Sequence, residues 1–400
     1  MKPVYLAKPG VVCAGGLNLD ELWKNVIDGN QYGIVKVTAC NGKEFFAGRI
    51  DGGIFDTSSG RFDMKVNRME EKCLLQIEHQ IEQVLQKYGA DKVGVCVGSC
   101  DNGSEFSVAG HKTYFQTGRF PVDYSLEMQG ADYVASFVSE KYGLKGPCLS
   151  FSTACSSSAG AIIKAAQLIK SGICDAVVAG GVDVVSDTVL LGFDSLEAIS
   201  SEKTNPFSAR RHGITLGEGA AFFVMSRDPL DQTGICLLGY GESADAYHTT
   251  SPDPEGKGAF AAMENALKNA ELLSCDIDYL NPHGTGTKFN DSMEAKAIGK
   301  LFGENCPAIS ATKPITGHTL GAAGAIEMAI CYNSILANMS KGAGEIRLPL
   351  QVWDGEKDPE LPNLNFIDKN NGCKLEKVKC CMSNTFAFGG ANASLIIGIY

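Results

Sequence analysis

Apolar positions along this chain come in two textures. Short, nearly continuous apolar runs occur at KVGVCVGSC (92–100), PCLSFSTA (147–154), DAVVAGGVDVV (175–185) and GAAFFVMS (219–226). Between and after them lie longer stretches with apolar residues at helical spacing, at 66–88, 155–170, 258–272, 291–302 and 320–338. A run that is apolar at every position suits a strand covered on both faces. The pattern therefore predicts an α/β fold, with helices covering a mixed sheet. Glycine- and proline-rich loops fall around 250–258 and 341–364. The stretch 155–170 is interrupted only by Lys164, Gln167 and Lys170, which marks it as a central, buried helix.

The chain also echoes itself. PCLSFSTA leads into CSSSAGAIIKAAQLI, and CPAISATKPITG leads into HTLGAAGAIEMAICYN. Each reads as a strand, a tight turn and an Ala/Gly-rich helix, with a reactive side chain where strand gives way to helix. VGVCVGSCDNG (93–103) and IDYLNPHGTGT (277–287) form a second such pair. This is the mark of a duplicated fold, with two similar halves, 1–235 and 236–400, facing each other across a site. His318 stands at the position that echoes Cys155.

The candidate chemistry sits at those turns. Cys155, in STACSSSAG, opens the predicted helix and is followed by small residues that allow backbone to approach a ligand. A helix start offers free N–H groups and positive partial charge, so it should lower the thiol pKa and could hold the oxyanion of a thioester under attack. His283 in NPHGTGT and His318 in TKPITGHTLGAAG are framed by glycines. An imidazole pair can donate hydrogen bonds to a developing enolate while a cysteine holds the second substrate covalently. Lys313, five residues before His318, is either the charge that orients the pair or an ordinary surface lysine. Glu327 is the only charge in LGAAGAIEMAICYNSIL, so it should meet a cation or a hydrogen-bonded network. NTFAFGGANAS (384–394), with Phe386 and Phe388 beside glycines, reads as a mobile cover over an acyl pocket or a tight hairpin.

Composition narrows the field. The net charge of −11 excludes a broad nucleic-acid-binding surface, and no apolar run is long enough to cross a bilayer. Fifteen scattered cysteines and no signal-peptide pattern at the start predict reduced thiols in the cytoplasm.

Taken in order and spacing, TACSSS, PHGTGT, KPITGHTLGAAG and NTFAFGG resemble the β-ketoacyl-acyl-carrier-protein synthases of the type I/II class, in the thiolase-like superfamily. The resemblance covers nearly the whole chain. It implies a layered α-β-α-β-α thiolase-like fold and acyl transfer to Cys155, then a decarboxylating Claisen condensation in fatty acid biosynthesis. A polyene or polyketide ketosynthase with the same chemistry is the alternative. By the same resemblance His283 and His318 activate a malonyl thioester, supported by Lys313. The N–H groups of Cys155 and Phe388 form the oxyanion hole, with Phe388 as gatekeeper and Phe386 beside it. Asp291 and Glu294 match family acidic positions, Glu294 being expected near Lys313. Asn281, Glu327, Ser383 and Asn384 match positions that hold a structural monovalent cation in some relatives. No catalytic cofactor is implied; the substrates ride on the phosphopantetheine arm of acyl carrier protein, and the enzyme is expected to be a homodimer.

Departures fall outside the Cys-His-His set: Ala387 replaces a glycine before the gatekeeper, His212 interrupts an Arg-Asp-Gly element, and Asn290 with Asp291 replaces Gly-Asp. A thiolase would need a second cysteine as base where NTFAFGG stands. A type III synthase would use Cys, His and Asn, and a non-catalytic chain-length partner would lack Cys155. For the acidic carrier, Arg61, Lys65, Arg68 and Lys72 share one face if 61–72 is helical, beside a buried stripe of Val66, Met69, Cys73 and Ile77. Lys65 and Arg68 match carrier-contacting positions in the family.

Overall fold

The computed structural model describes residues 3–51, 62–101, 103–342, 344–369, 373 and 375–400. In the first half run β1 (Val4–Leu6), β2 (Gly10–Cys13), α1 (Leu19–Asp28), β3 (Ile34–Thr38), β4 (Glu44–Gly48), α2 (Lys65–Leu74) and α3 (Glu78–Tyr88). They are followed by β5 (Val93–Gly98), α4 (Ser104–Thr117), α5 (Tyr133–Tyr142), β6 (Cys148–Phe151) and α6 (Ser157–Lys170). β7 (Ala176–Asp183), α7 (Asp187–Ser195), β8 (Leu216–Gly217) and β9 (Gly219–Ser226) complete that half. The second half has β10 (Ile235–Ala244), α8 (Lys257–Ala270), β11 (Tyr279–Asn281), α9 (Lys288–Phe302) and β12 (Ala308–Ile309). It ends with α10 (Lys313–Thr316), α11 (Ala323–Leu336), β13 (Cys380–Phe386) and β14 (Ala391–Ile399).

The duplication is explicit in the strand order. One half runs β6-β5-β7-β9-β1 and the other β12-β11-β13-β14-β10, each read inward from its outer edge. The parallel and antiparallel pairings match step for step: β5 is parallel to β6 and β7, as β11 is to β12 and β13, and the remaining pairs are antiparallel. The two leaves join along the antiparallel β1–β10 pair, so the backbone ladder is continuous between them. Helices α6 and α11 lie against each other between the leaves. Helices α2, α3 and α5 cover one leaf from outside, and α8 and α9 cover the other. These are the five expected layers.

The apolar runs behave as strands buried on both faces: every residue of β5, β7 and β9 is buried. PCLSFSTA departs from that reading. β6 is an edge strand, and its residues are exposed or half-buried because no neighbour lies outside it. Nor is 66–88 one helix. A 3-10 turn at Leu75–Ile77 divides α2 from α3, so Val66, Met69, Cys73 and Ile77 still face the core while the later turns change course. All fifteen cysteines are unpaired, and no helix among the described residues is long and apolar enough to cross a membrane.

Candidate active site

Two matching elbows carry the site. After β6 the chain makes a 3-10 turn, Ala154–Ser156, before α6 begins at Ser157. After α10 it makes a 3-10 turn, Leu320–Ala322, before α11 begins at Ala323. The first residue of each turn has the same left-handed backbone, φ 51° at Ala154 and φ 50° at Leu320. Such a conformation costs a non-glycine residue about 1–3 kcal/mol and persists only where its surroundings enforce it. At the first elbow, Ser157 Oγ accepts from Thr153 N (2.9 Å) and donates to Ala154 O (2.6 Å), while Ser156 Oγ donates to Thr153 O. The small residues after Cys155 are needed because α6 starts directly on the sheet. A Cβ at Gly98 of β5 would lie 2.3 Å from Ser158 N.

The elbows correct two expectations. Matching Ala154 to Leu320 places Gly321, not His318, at the echo of Cys155; His318 lies three residues earlier, on the approach to the turn. The helix start does not leave Cys155 with a low pKa either. Burial pushes the thiol up to about 11, against the opposing charge of Lys313 and hydrogen bonds to the sulfur from the backbone N–H groups of Phe388 and of Cys155 itself. Both N–H groups are directed at the Cys155 sulfur.

The elements bring Cys155, His283 and His318 together, all buried, with one ligand-type atom from each within 4.8 Å of the others. His318 Nε2 is 3.1 Å from Cys155 Sγ, and the two imidazoles meet edge to face at 5.2 Å. Burial, reinforced by Lys313, holds both imidazoles well below their ordinary pKa, so both are neutral. Their tautomers follow from their partners. Leu320 N–H donates to His318 Nδ1 (3.3 Å), and Lys313 Nζ, which can only donate as an ammonium, reaches His283 Nδ1 (3.3 Å). Each ring therefore carries its proton on Nε2 and acts there as a donor.

Lys313 is no surface lysine. It is buried at the start of α10, donates to His283 O, and forms an ion pair with Glu327. The sole charge of α11 thus finds a charged partner. Glu294 lies near enough to Lys313 to feel its charge, but its hydrogen bonds go to the backbone: its carboxylate accepts from His283 N (2.7 Å) and Gly284 N (2.8 Å). Asp291 accepts from Phe207 N, Thr285 N and Gly286 N. The two acids cap the turn after β11 that presents His283. Phe386, buried, lies edge-on to His283 at 6.2 Å, and Phe388 stacks on Phe193 of α7 at 5.8 Å. A cavity of about 370 Å³ opens on these groups, lined by Cys155, Phe193, His283, His318, Phe386 and Phe388 among others.

Three of the four expected cation residues keep a free acceptor. Asn281 Oδ1, Glu327 Oε2 and Ser383 Oγ are buried without a hydrogen-bond partner, and Asn281 and Ser383 are register partners on β11 and β13. These oxygens fit a hard monovalent cation. The Asn384 side chain differs from these in already having partners, accepting from Ser394 Oγ and donating to Met263 Sδ.

The expected docking patch is altered. Lys65 turns inward to the fully buried Glu218 (2.7 Å), which also holds Arg49, and Arg68 pairs with Asp63 (2.6 Å). Lys72 is exposed, and Arg61 lies outside the described residues. Sequence reading also passed over Asp183, although a lone acid inside the apolar run DAVVAGGVDVV was a visible signal.

Comparison with known proteins finds relatives along the length of the chain. Residues 2–229 match the Beta-ketoacyl synthase, N-terminal domain, and residues 235–339 match the Beta-ketoacyl synthase, C-terminal domain. The chain is 31% identical to a 3-oxoacyl-[acyl-carrier-protein] synthase 2 of Vibrio cholerae and 30% identical to one of Coxiella burnetii, in each case over 98% of both chains. Among solved structures, a ketosynthase (ApeO) in complex with its chain length factor (ApeC) from Xenorhabdus doucetiae matches with a TM-score of 0.91 and 34% identity, covering 100% of this chain and 98% of that one.

Proposed function

The chain belongs to the beta-ketoacyl synthase family, and from that premise we propose that it elongates carrier-bound acyl chains at Cys155. The family chemistry is a decarboxylating condensation by an acyltransferase of the 3-oxoacyl-[acyl-carrier-protein] synthase type. The observation that carries the residue assignment is the convergence of Cys155 Sγ with two neutral imidazoles, each presenting an Nε2–H.

The mechanism follows from those atoms. Cys155 sulfur attacks the carrier thioester, the N–H groups of Cys155 and Phe388 hold the oxyanion, and the pantetheine thiol leaves with the proton. The carbonyl oxygen of a malonyl thioester then accepts from His283 and His318. Carbon dioxide departs, and the two donors hold the enolate oxygen. The enolate carbon attacks the acyl carbonyl on Cys155, a C–C bond forms, and the cysteine sulfur leaves. Glu294 and Asp291 fix the turn that aims His283, and Lys313 fixes its tautomer. A monovalent cation at Asn281, Glu327 and Ser383 would supply charge to the second oxygen of Glu327, behind Lys313. A rise in melting temperature with potassium that is lost in Glu327→Gln supports that site.

Fatty-acid-type elongation is supported by the full-length relatives at 30 and 31% identity. The second reading, a specialised polyene or polyketide ketosynthase, is favoured by 34% identity over the whole chain to an enzyme that works beside a chain length factor. Mass spectra of acyl groups trapped on Cys155 from a mixed acyl-carrier pool separate them: saturated chains support the first, polyunsaturated or keto-bearing chains the second.

A second copy of the chain fits the unpaired edge of β6 and the apolar surface of α4 and the loop after it, where Phe115 is 82% exposed. Sedimentation at micromolar concentration tests this dimer. For the acidic carrier, Lys65 is committed to Glu218 and Arg68 to Asp63, which leaves the exposed Lys72 as the docking charge of α2.

A further inference from the structure

The two elbows differ in what meets the N–H of their second residue. At the first, the N–H of Cys155 stays with the cysteine sulfur. At the second, the N–H of Gly321 donates to Asp183 Oδ2 at 2.5 Å. Asp183 ends β7, and β7 is the counterpart in its leaf of β13, which leads into the Phe388 loop. Each strand thus sends its end across to the other half's elbow. β13 delivers the Phe388 N–H to Cys155, and β7 delivers a carboxylate to Gly321.

Asp183 is fully buried and has no basic partner among its hydrogen bonds. Its oxygens accept from Ser99 Oγ (3.0 Å), Cys100 N (2.9 Å) and Asp101 N (2.8 Å) as well as from Gly321 N. The fit is tight: a Cβ on Gly321 would stand 2.6 Å from Asp183 Oδ2 and 3.0 Å from Cys100 N. One residue before Gly321 is Leu320, whose N–H fixes the tautomer of His318.

We propose that Asp183 is a positioning residue for the malonyl half-reaction. It fills the second elbow with a hydrogen-bond acceptor where the first elbow receives a transient oxyanion, and so holds Leu320 N–H on His318 Nδ1. This rests on the reading of His318 as a donor to the malonyl thioester. The nearby carboxylate also raises the thiol pKa of Cys155, so losing its charge should not make the sulfur less reactive.

The test is a split between half-reactions. In Asp183→Asn the amide cannot accept from both Gly321 and the 99–101 turn, because one of its two groups is now a donor. Malonyl-carrier decarboxylation should fall on the order of ten- to a hundred-fold, by analogy with the loss of partners that orient metal-ligating histidines. Cys155 alkylation by iodoacetamide should stay equal or become faster. Gly321→Ala, which pushes the same contact apart from the other side, should give the same split. Nitrogen-15 spectra of histidine-labelled protein should show His318 Nδ1 unprotonated in the parent and mixed in the variants. Loss of both activities together, or unchanged decarboxylation in either folded variant, would overturn the proposal. A parent enzyme that does not decarboxylate malonyl-carrier would instead refute the underlying reading of the histidines.

Discussion

The two halves share strand order, the direction of each strand pair, the left-handed residue and the 3-10 turn before a buried helix, yet only one elbow carries a nucleophile. The first half contributes Cys155. The second contributes His283, His318 and the Lys313–Glu327 pair that stands behind them. The difference shows how a duplicated fold divides a two-substrate reaction: one copy holds the acyl group and the other activates the nucleophile that attacks it. Backbone geometry is common to both, and the side chain in or beside each elbow decides its role.

Two buried acids, one in each half, also find different environments. Glu327 has a lysine partner, whereas Glu70 on α2 is fully buried with one contact, from Asn67 Nδ2 at 3.4 Å. Glu70 Oε1 and Asn67 Oδ1 are left without partners, and burial raises the Glu70 pKa well above the ordinary range. A proton on Oε1, donated to Asn67 Oδ1, would satisfy both atoms and close a cyclic acid–amide pair.

Removing one member of the second half's charge pair should have the largest effect. Lys313→Met leaves Glu327 buried without its partner and should cost about 3–5 kcal/mol of stability, measurable by denaturant unfolding. It should also release the His283 tautomer. Next come the imidazoles. His283→Ala or His318→Ala should slow malonyl decarboxylation about 100- to 1,000-fold, by analogy with loss of a single oxyanion donor. Acyl transfer to Cys155 should slow far less. Equal loss in both half-reactions would erase the division between the halves.

Much of this was legible in the sequence, for a physical reason. Strands buried on both faces leave unbroken apolar runs, and a reactive side chain at a strand–helix junction needs small neighbours, so β5, β7, β9, Cys155, His283 and His318 could be placed from local pattern alone. What could not be read depends on contacts distant in the chain. Lys65 meets Glu218 at a separation of 153 residues, and Asp183 meets Gly321 across 138. The Cys155 pKa cannot be read locally, because a helix start is a local feature whereas the burial that outweighs it is tertiary. The one-turn difference between His318 and the true echo of Cys155 emerged only from the backbone angles.

Smaller effects sharpen the contrast. Alkylation of Cys155 should rise with pH toward about 11 rather than level off near neutrality, because burial disfavours the thiolate. A plateau below pH 8 would show that the elbow's N–H groups win. Glu70→Gln should change stability by less than about 1 kcal/mol at pH 5, since an amide replaces a neutral acid. A folded pKa raised above the unfolded one gives stability that is complete below the unfolded carboxylate range and is lost as pH rises through the folded value. The variant lacks that loss, so its melting temperature relative to the parent should improve from pH 5 to pH 9.

The most direct test uses Cys155→Ala, assayed with acyl-carrier and malonyl-carrier together and with malonyl-carrier alone. The account predicts no 3-oxoacyl product and no acyl adduct, while release of carbon dioxide from malonyl-carrier continues, because the second half is intact. Condensation at the parent rate would contradict the assignment of Cys155, and loss of decarboxylation in a folded variant would contradict the division of labour between the halves.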